Sequence, residues 1–507
     1  MPLFYDWLNR IVKDQGGGGT ALVYRDTYLS WRGLCHRVDR RAQELTSFGV
    51  GPGSWLGVML GNVPEFVILA AAASKLNVVF VPLDPTTASR ELDMILEAAP
   101  LRALITRPHG GDTPTPAAAT PPRADGRRGG ARIQPEGRRR LQGTLLNVHL
   151  YKRTPAELPA GFAASTALFT ADAGGDPKGV LRTDAELQII ADTLANALDL
   201  QPEERVLGAA PLHHGFGFDA GFLAPLSRGA SLYLEDELSI KRLGKLLRDE
   251  RIDVFPGNPA LFGALAREVT VKPLTTRNAR FLSAGSPLSE TVATAFHERY
   301  RVRLLSTYHA TETGPVAFDK TGKEPGTVGK PFDGVELRLQ PAPPGPPTQP
   351  GPSVDGAALG PDRGAGPQPI WVRSKGASAF FIPKLALARH AGSVPIGRTD
   401  SEGWFRTGDL GRVDKAGRLT LAGREDDLVK IDGKRVALGE VAGCLEAYPK
   451  VKEAEARLSH DEIGNPIVVA RVVATAGCRP EELIDHCARS LAPYKVPRHI
   501  DIGAAES

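Results

Sequence analysis

The sequence predicts an α/β protein in which helices are layered on mainly parallel β-sheets. Helical and strand patterns alternate between Ala21 and Ile105, and they alternate again between Thr166 and Tyr308. The length of 507 residues suggests roughly three domain-sized units, which is enough for a large apolar core. Because ligands of such sheets bind beyond the carboxyl ends of the strands, we expect the functional site at that edge.

In the first region, short apolar runs predict strands and spaced apolar residues predict helices. Trp55 to Met59 and Val78 to Val81 are rich in β-branched, aromatic and other apolar residues, which favour strands. Pro64 to Leu76 carries apolar residues at helical spacing. Thr46 to Pro52 is typical of a helix end followed by a turn.

In the second region the same alternation resumes. We predict helices at Asp184 to Leu198, after Pro259 and at Ser289 to Tyr300. The predicted strands are Thr166 to Thr170, Ile252 to Phe255, Arg280 to Ser283 and Leu304 to Tyr308. Strand–helix–strand units of this length favour parallel pairing.

Two segments, 109–140 and 341–369, lack this alternation. Both are rich in Pro and Gly, and they are too poor in spaced apolar residues to bury a core of their own. We predict that they are disordered insertions. A misread reading frame in GC-rich DNA produces a similar bias, and the sequence does not distinguish the two explanations.

Charge and cysteine content exclude several function classes. The net charge is +4, yet residues 121–140 alone hold seven Arg against two acidic residues, so the remainder is near neutral and does not indicate nucleic-acid binding. The four cysteines form no CxxC pair, which favours free thiols in a reducing compartment. No apolar run is long enough for a membrane span, and no signal pattern opens the chain; we expect a cytoplasmic protein.

The stretch from Phe169 to Val180 resembles a phosphate-binding loop. A predicted strand ending at Thr170 leads into a loop that contains Gly175, Lys178 and Gly179. Glycines let backbone amides approach phosphate oxygens, and a lysine adds positive charge. The loop does not end in Gly-Lys-Ser/Thr, so it is not a Walker A loop. By itself, a glycine-rich turn without a ligand explains it equally well.

Four further stretches follow in order, and together with this loop they resemble the adenylate-forming (AMP-binding) superfamily, in particular acyl-CoA synthetases and fatty-acid–CoA ligases. The resemblance covers about Leu29 to Arg498. The stretches are Pro211 to Gly217, similar to an acyl-pocket segment; Tyr308 to Glu312, similar to Tyr-Gly-x-Thr-Glu; Gly403 to Leu410, similar to a ribose-binding element; and Gly423 to Gly433, similar to an interdomain hinge.

The resemblance implies two domains. Residues 1–425 would form the AMP-binding domain, and 426–507 a small, mobile α+β domain. Asp426 occupies the hinge position. In this family the small domain swings after adenylation, so that one orientation completes adenylation and the other admits the thiol.

The resemblance also implies roles for the nucleotide site. Asp409 would accept both ribose hydroxyls, Tyr308 would stack on the adenine, and Thr311 would bond the α-phosphate. Glu312 would hold Mg²⁺, a cation that prefers carboxylate and phosphate oxygens. Arg424 would reach the nucleotide at the domain junction. For Asp409 a plain turn residue, for Glu312 a surface glutamate and for Tyr308 a core tyrosine remain the simpler alternatives.

Further residues complete the expected site. Lys178, Thr311, Glu312 and Lys430 are the candidate catalytic residues, although Lys430 could also be a solvated lysine. The remaining candidate nucleotide-binding residues are Thr170, Gly175, Gly179 and Gly285, and the candidate substrate-binding residues are His214, Phe216, Gly217 and Gly433. The adjacent His213 and His214 do not predict a metal site, because neighbouring side chains point apart.

The expected cofactors are ATP, Mg²⁺ and CoA, and the expected substrate is a small-molecule carboxylic acid. Adenylation brings two anions together, so the site must neutralise charge and align the reactants. An acyl-CoA synthetase is the favoured interpretation. Two alternatives stay open: a stand-alone adenylation protein that loads an acyl carrier protein, and a catalytically impaired or truncated nucleotide- or acyl-binding relative.

Two departures from the family pattern motivate the last alternative. In the phosphate loop, Ala171 to Gly174 replace the expected hydroxyl residues, and Asp172 adds negative charge near a polyanion. The terminal Gly-Lys element of the family is not found before Ser507, so the small domain looks truncated; Lys495 matches a position upstream of it. His309 in place of glycine and Leu438 in place of proline are smaller departures. The identity of the acid and the oligomeric state are not predicted.

Overall fold

The computed structural model describes most of the chain. The described residues are 3–108, 134–153, 158, 162–171, 177–236, 239–268, 279–324, 326–340, 367–378, 380–382, 396–397, 399–425, 428–431, 434–461, 464–474 and 477–504.

The helices of the described part are amphipathic or fully buried. In chain order they are α1 Leu3–Gln15, α2 Trp31–Ser47, α3 Pro64–Lys75, α4 Ser89–Ala98, α5 Asp184–Ala197, α6 Gly215–Phe218, α7 Ala224–Arg228, α8 Ile240–Asp249, α9 Pro259–Arg267, α10 Glu290–Tyr300, α11 Leu438–Glu446 and α12 Pro480–Ser490. A π-helical turn, Asp219–Leu223, joins α6 to α7, and a 3₁₀ turn spans Pro493–Lys495.

The strands are given in chain order in two sets, before and after residue 311. The first set is β1 Thr20–Tyr24, β2 Thr27–Ser30, β3 Trp55–Met59, β4 Val79–Pro82, β5 Leu101–Thr106, β6 Gly137–Arg140, β7 Asn147–Leu150, β8 Thr166–Ala171, β9 Pro177–Arg182, β10 Arg205–Gly208, β11 Ser231–Leu234, β12 Val254–Gly257, β13 Arg280–Ser283 and β14 Leu304–Ala310. The second is β15 Gly314–Phe318, β16 Lys330–Pro331, β17 Val335–Leu339, β18 Gln368–Ser374, β19 Phe380–Ile382, β20 Ile396–Gly397, β21 Phe405–Val413, β22 Leu419–Arg424, β23 Leu428–Ile431, β24 Lys434–Ala437, β25 Val451–His460, β26 Pro466–Ala474 and β27 His499–Ala504.

Two nine-stranded sheets form the large domain. One has the order β16-β15-β14-β13-β12-β10-β11-β1-β2, and the other β20-β19-β9-β8-β4-β3-β5-β7-β6. The strands from β14 to β1 in the first sheet, and β8, β4, β3 and β5 in the second, pair in parallel. The predicted α/β class is therefore confirmed, with parallel centres. Both sheets have antiparallel edges, because short links between neighbouring strands, such as β1–β2 and β14–β15, allow only hairpin pairing.

The core lies between the two sheets and their helices. Helix α3 is buried from Phe66 to Ala73 without a polar face, as expected of a helix sandwiched between layers. One cluster of buried apolar side chains joins residues of both sheets, such as Phe80 and Leu232. This packing fixes the two sheets relative to each other, and hence the strand ends that carry the site.

The predicted insertions are partly wrong at their ends. Gly137–Arg140 is a strand that pairs with β7, and Gln368–Ser374 pairs with β17 and β21. Edge pairing satisfies backbone groups without requiring apolar side chains, so composition did not reveal the first strand. Residues 109–133 and 341–366 lie outside the described residues.

The smaller C-terminal domain follows a four-stranded antiparallel sheet of β17, β18, β21 and β22. It contains the hairpin of β23 and β24, the sheet β25-β26-β27, and helices α11 and α12. Its own apolar cluster includes Val441, Leu445, Val472 and Leu483. The α+β character is confirmed. The boundary predicted between residues 425 and 426 stays a prediction, since residues 426–427 lie outside the described residues. We call Leu428–Ala437 the hairpin.

A search of the described helices found none with the length and apolar content that a membrane crossing requires.

Candidate active site

A cavity of about 410 Å³ opens at the carboxyl edge of both central sheets. Its walls come from the ends of β8 and β14 and from the residues that follow β10, β12 and β13. This is the edge that parallel topology predicts, and the volume is in the range of small-molecule sites. The lining residues are Thr170, Ala209, Ala210, Pro211, His214, Phe216, Gly217, Ile240, Gly257, Asn258, Ala260, Leu261, Ala284, Gly285, His309, Ala310, Thr311, Lys430, Lys434 and Arg435.

Glu312 anchors a cluster of charges beside the cavity. It lies in the turn between β14 and β15, and its carboxylate is buried. Oε1 accepts hydrogen bonds from Lys178 Nζ at 2.8 Å and from Arg435 Nη1 at 2.6 Å, and Oε2 accepts from Arg435 Nη2 at 3.1 Å. Burial alone would raise the pKa of Glu312, but Arg435 and Lys178 outweigh it, and the pKa lies well below its ordinary value.

Asp409 anchors a second cluster. The antiparallel pairing of β21 and β22 places Asp409 directly opposite Arg424. Oδ1 accepts from Arg424 Nη1 at 2.5 Å, and Oδ2 accepts from the Tyr308 hydroxyl at 2.5 Å. Burial opposes ionisation of Asp409, yet Lys430 and Arg424 are close enough to lower its pKa. Burial and the Asp409 carboxylate raise the pKa of Tyr308 well above the ordinary value, so its hydroxyl stays protonated.

Small residues shape the wall of the cavity around Pro211 to Phe218. A Cβ on Gly217 would lie 2.1 Å from the Pro211 carbonyl oxygen, and one on Gly215 would lie 2.7 Å from Thr311 Oγ1. Neither position therefore accepts a larger side chain without backbone movement. Burial lowers the pKa of His214 to about 3, so this imidazole is neutral.

A buried triad of charged and polar side chains lies behind the same wall. Arg182 Nη1 donates to Asp219 Oδ1 at 2.6 Å, and Arg182 Nη2 donates to the Thr311 carbonyl oxygen at 2.6 Å. His309 Nε2 lies 2.7 Å from Asp219 Oδ2. Both Arg182 and Asp219 are fully buried, and His309 reaches the cavity. Asp219 opens the π-helical turn, a feature that occurs frequently at functional sites.

The hairpin of the C-terminal domain docks at this site. Lys430 Nζ lies 5.8 Å from the centre of the Tyr308 ring, and Lys434 bonds Asp84 of the large domain. Burial lowers the pKa of Lys430. Lys495 does not join the site, because its ammonium group lies 3.1 Å from Glu440 Oε2 and 3.5 Å from Glu91 Oε2.

Comparison with known proteins identifies the family of the chain. Residues 9–353 match the family of AMP-binding enzymes, which is more than half of the chain. The chain belongs to the AMP-binding enzymes.

Similar proteins include CoA ligases and peptide synthetases. A linear gramicidin synthase polypeptide of Brevibacillus parabrevis is 27% identical over 94% of this chain, which spans only 6% of that protein's length. The 2-succinylbenzoate–CoA ligase of Bacillus licheniformis is 25% identical over 94% of this chain and 91% of its own. The solved o-succinylbenzoate CoA synthetase of Bacillus subtilis superimposes with a TM-score of 0.75, covers 98% of this chain and 94% of its own, and is 20% identical, which supports the fold.

Most of the predicted site residues of this AMP-binding enzyme come together. The cavity is lined by Thr170, His214, Phe216, Gly217, Gly285, Thr311 and Lys430, and the two clusters beside it contain Lys178, Tyr308, Glu312, Asp409 and Arg424. Gly179 lies in β9, where a Cβ would lie 2.9 Å from Ile382 Cδ1, so packing accounts for it. Gly175, Asp426 and Gly433 lie outside the described residues.

Sequence reasoning missed Arg182, Asp219, Lys434 and Arg435, and it identified His309 only as a departure. One available signal was an isolated charge inside an apolar run: Asp219 lies between Phe218 and Phe222. Charged residues in such runs are buried only when paired, so the sequence indicated a cationic partner for Asp219 without identifying it.

The Mg²⁺ that the sequence resemblance implies can be tested against the side chains present. Among the described residues, no group of three or more His, Cys, Asp and Glu side chains could hold a metal ion. Glu312 offers one carboxylate, which would suit a Mg²⁺ that takes its other ligands from phosphate oxygens and water once Arg435 no longer occupies both carboxylate oxygens. The residues present therefore fit a metal that arrives with the nucleotide.

Proposed function

We propose that the chain is a carboxylate–CoA ligase that activates a small carboxylic acid with ATP and transfers the acyl group to CoA. The observation that carries the proposal is the cavity in which an apolar wall meets Thr311 on one side and Lys430, Lys434 and Arg435 of the hairpin on the other. The similarity to a CoA ligase along most of its length supports it.

Two transfers make up the proposed reaction. In the first, a carboxylate oxygen of the acid attacks the α-phosphorus of ATP, and the bond to pyrophosphate breaks. In the second, the sulfur of CoA attacks the acyl carbon, the bond to AMP breaks, and the thiol proton is released. Both transfers concentrate negative charge, which fixed cations stabilise in a water-poor site.

The residues have distinct proposed roles. Asp409 would hold the ribose, Tyr308 and Arg424 the remainder of the adenosine, and Thr311 the α-phosphate. Lys178 would bind phosphate oxygens, since it points at the turn that carries Glu312. Mg²⁺, when bound, would neutralise phosphate charge next to Glu312. Lys430 would serve the thiol step from the hairpin.

The contacts of Glu312 support a division of labour between two domain orientations. Both carboxylate oxygens are occupied by protein cations, and Arg435 supplies two of the three hydrogen bonds. A divalent metal cannot share them without strong repulsion, so Arg435 must withdraw before metal-bound ATP enters. We infer that the docked hairpin belongs to the thiol step.

Loading of an amino acid onto a carrier protein is the alternative raised by the peptide synthetase similarity. An ammonium group would need a negative partner in the acid pocket. Among the described residues that line the cavity, none is Asp or Glu, and the nearby Asp219 is already neutralised by Arg182. These features favour an acid without an ammonium group.

The test is acid-dependent pyrophosphate exchange with a panel of aryl and aliphatic acids, followed by detection of the CoA thioester by mass spectrometry. Exchange with at least one acid and a CoA thioester of the same acid are expected. Exchange with none would contradict adenylation. Hydroxamate trapping without any CoA thioester would contradict CoA as the acceptor.

A further inference from the structure

We propose that His309 selects acids that carry a hydrogen-bond donor, a hydroxyl or an N–H group, on the part that lies in the cavity. This inference deepens the proposed function, since it names a substrate class for the same site. It rests on the geometry of the triad formed by Arg182, Asp219 and His309.

The first step is the orientation of the imidazole. Nε2 of His309 is 2.7 Å from Asp219 Oδ2, and Asp219 is fixed from its other side by Arg182. The edge of the Phe216 ring also meets the imidazole, with ring centres 5.7 Å apart at 64°. A ring held by both a carboxylate and an aromatic contact cannot turn freely to suit a ligand.

The second step is the tautomer. Asp219 is ionised, because Arg182 and His309 outweigh the effect of burial and lower its pKa. An ionised carboxylate only accepts hydrogen bonds, so Nε2 of His309 must carry a proton. Burial lowers the pKa of His309, and the ring is therefore neutral. In a neutral imidazole the other nitrogen, Nδ1, is an acceptor.

The third step is the position of that acceptor. His309 is one of the cavity-lining residues, and its recorded hydrogen bond within the described part of the chain uses Nε2. Phe216 contacts the imidazole, and the cavity lining combines apolar or small residues with a few polar ones, among them Asn258 and Thr311. A hydrogen-bond acceptor in such a cavity favours a ligand that carries a donor. An apolar ligand group would displace water from the acceptor without replacing its hydrogen bond, which weakens binding.

The charge of the triad narrows the class further. One cation, one anion and one neutral ring sum to zero, so the triad itself offers no net charge to the ligand, while Lys430, which is close enough to lower the pKa of His309, disfavours an ammonium group. A neutral hydroxyl or N–H group is the partner that matches. A methyl ether of the same acid has the same reach but no proton to donate.

The experiment compares matched acids with the purified full chain. Hydroxy-substituted benzoic, cinnamic and medium-chain fatty acids are each tested beside the unsubstituted parent and the O-methyl ether, by hydroxamate formation and by calorimetric binding. For at least one scaffold, we expect the hydroxyl member to exceed both analogues in kcat/KM by about tenfold or more. Equal values within every scaffold that binds would overturn the proposal.

A variant of Asp219 gives a more specific test of the role of His309. In Asp219→Asn, Arg182 still requires an oxygen on its side, so the amide nitrogen faces His309 Nε2 and donates to it. The proton of the imidazole then moves to Nδ1, which becomes a donor. We expect the preference to shift from the hydroxyl acid toward the methyl ether. A preference that is unchanged in a variant folded by circular dichroism would contradict the proposed role.

A second variant keeps the proposal testable if Asp219→Asn does not fold. His309→Asn keeps an acceptor oxygen on a shorter side chain and removes the imidazole, and we expect the hydroxyl preference to fall at least severalfold while the parent acid is still used. An undiminished preference would overturn the proposal. Calorimetric binding of the acids separates this result from failure of the proposed function, because it does not require turnover.

Discussion

The proposed acid pocket, backed by Asp219, and the proposed nucleotide end, which contains Glu312, each have a buried carboxylate. The two carboxylates are neutralised in different ways. Asp219, behind the acid pocket, is paired with Arg182 and His309, which belong to the same domain. Glu312, at the nucleotide end, takes two hydrogen bonds from Arg435 of the C-terminal domain. The pairing of Asp219 is therefore independent of the domain orientation, although Lys430, Lys434 and Arg435 of the C-terminal domain line the same cavity, whereas the pairing of Glu312 depends on where that domain lies.

The physical reason is the cost of an unpaired buried charge. Removing one partner of a buried ion pair costs about 3–5 kcal/mol, because the remaining charge is left without compensation. Glu312 is 1% exposed and would keep Lys178 Nζ at 2.8 Å, but loss of Arg435 removes two of its three hydrogen bonds, so this loss costs least when another cation takes the place of Arg435. In the proposed reaction, metal-bound ATP would supply such a cation. Nucleotide binding and domain movement would then be coupled through the Glu312 carboxylate.

The largest expected effect tests the nucleotide end. Asp409→Ala removes a carboxylate that we expect to bond both ribose hydroxyls, each bond contributing about 1.5–3 kcal/mol. ATP affinity measured by calorimetry should fall at least a hundredfold. Asp414→Ala is the matched control. Asp414 is an exposed aspartate in the turn between β21 and β22, and its replacement should leave ATP affinity unchanged. Unchanged ATP affinity in Asp409→Ala would refute the ribose assignment.

The next effect concerns Glu312. Glu312→Gln keeps the shape of the side chain but removes the charge that Mg²⁺ needs, and pyrophosphate exchange should fall about a hundredfold. Glu336→Gln, at an exposed ion pair with Arg373, serves as the control. If exchange by the Glu312 variant stayed within a few-fold of the parent enzyme at all Mg²⁺ concentrations, Glu312 would not be the metal position.

Replacement of Arg435 should affect the two half-reactions, adenylation and transfer to CoA, differently. In Arg435→Ala the hairpin loses its bond to Glu312, so transfer to CoA should fall about tenfold. Pyrophosphate exchange should be maintained, and it should reach its maximum at a lower Mg²⁺ concentration because the competing cation is gone. Arg471→Ala, exposed on β26, is the control. Equal loss in both half-reactions would contradict competition between Arg435 and the metal.

The smallest effect tests the contact that holds the hairpin down. Lys434 pairs with Asp84 at the rim of the site, with its side chain 19% exposed, and such pairs contribute up to about 1 kcal/mol. Lys434→Met should lower transfer to CoA about threefold and leave exchange unaltered. Lys452→Met, exposed on β25, is the comparison variant. A larger loss in exchange than in transfer would place Lys434 in the adenylation step instead.

Local patterns predicted much of the fold. Arg280–Ser283 and Trp55–Met59 were predicted at their observed bounds, because each is a short segment with an apolar centre and clear ends. The antiparallel edges were not predicted, since strand direction depends on how distant strands meet. The strand Gly137–Arg140 escaped because its exposed edge position requires no apolar side chains.

The same limit applies to the site. Tyr308, Thr311 and Glu312 were found because they lie within one short stretch that resembles a family motif. Arg435, one of the two partners of Glu312, is 123 residues away on another domain, so only the relative placement of the domains reveals this contact. Likewise, His309 was visible as an unusual residue, but its pairing with Asp219 depends on a contact across 90 residues.

Locking the hairpin tests the central claim most directly. Asp84 and Lys434, which are in contact, are replaced by cysteines and bridged with a short thiol-reactive reagent, with each single variant as a control for the native cysteines. The bridged enzyme should lose pyrophosphate exchange yet still convert a supplied acyl-adenylate and CoA to the thioester. Pyrophosphate exchange at the unbridged rate in the locked enzyme would contradict the claim that the docked hairpin excludes adenylation.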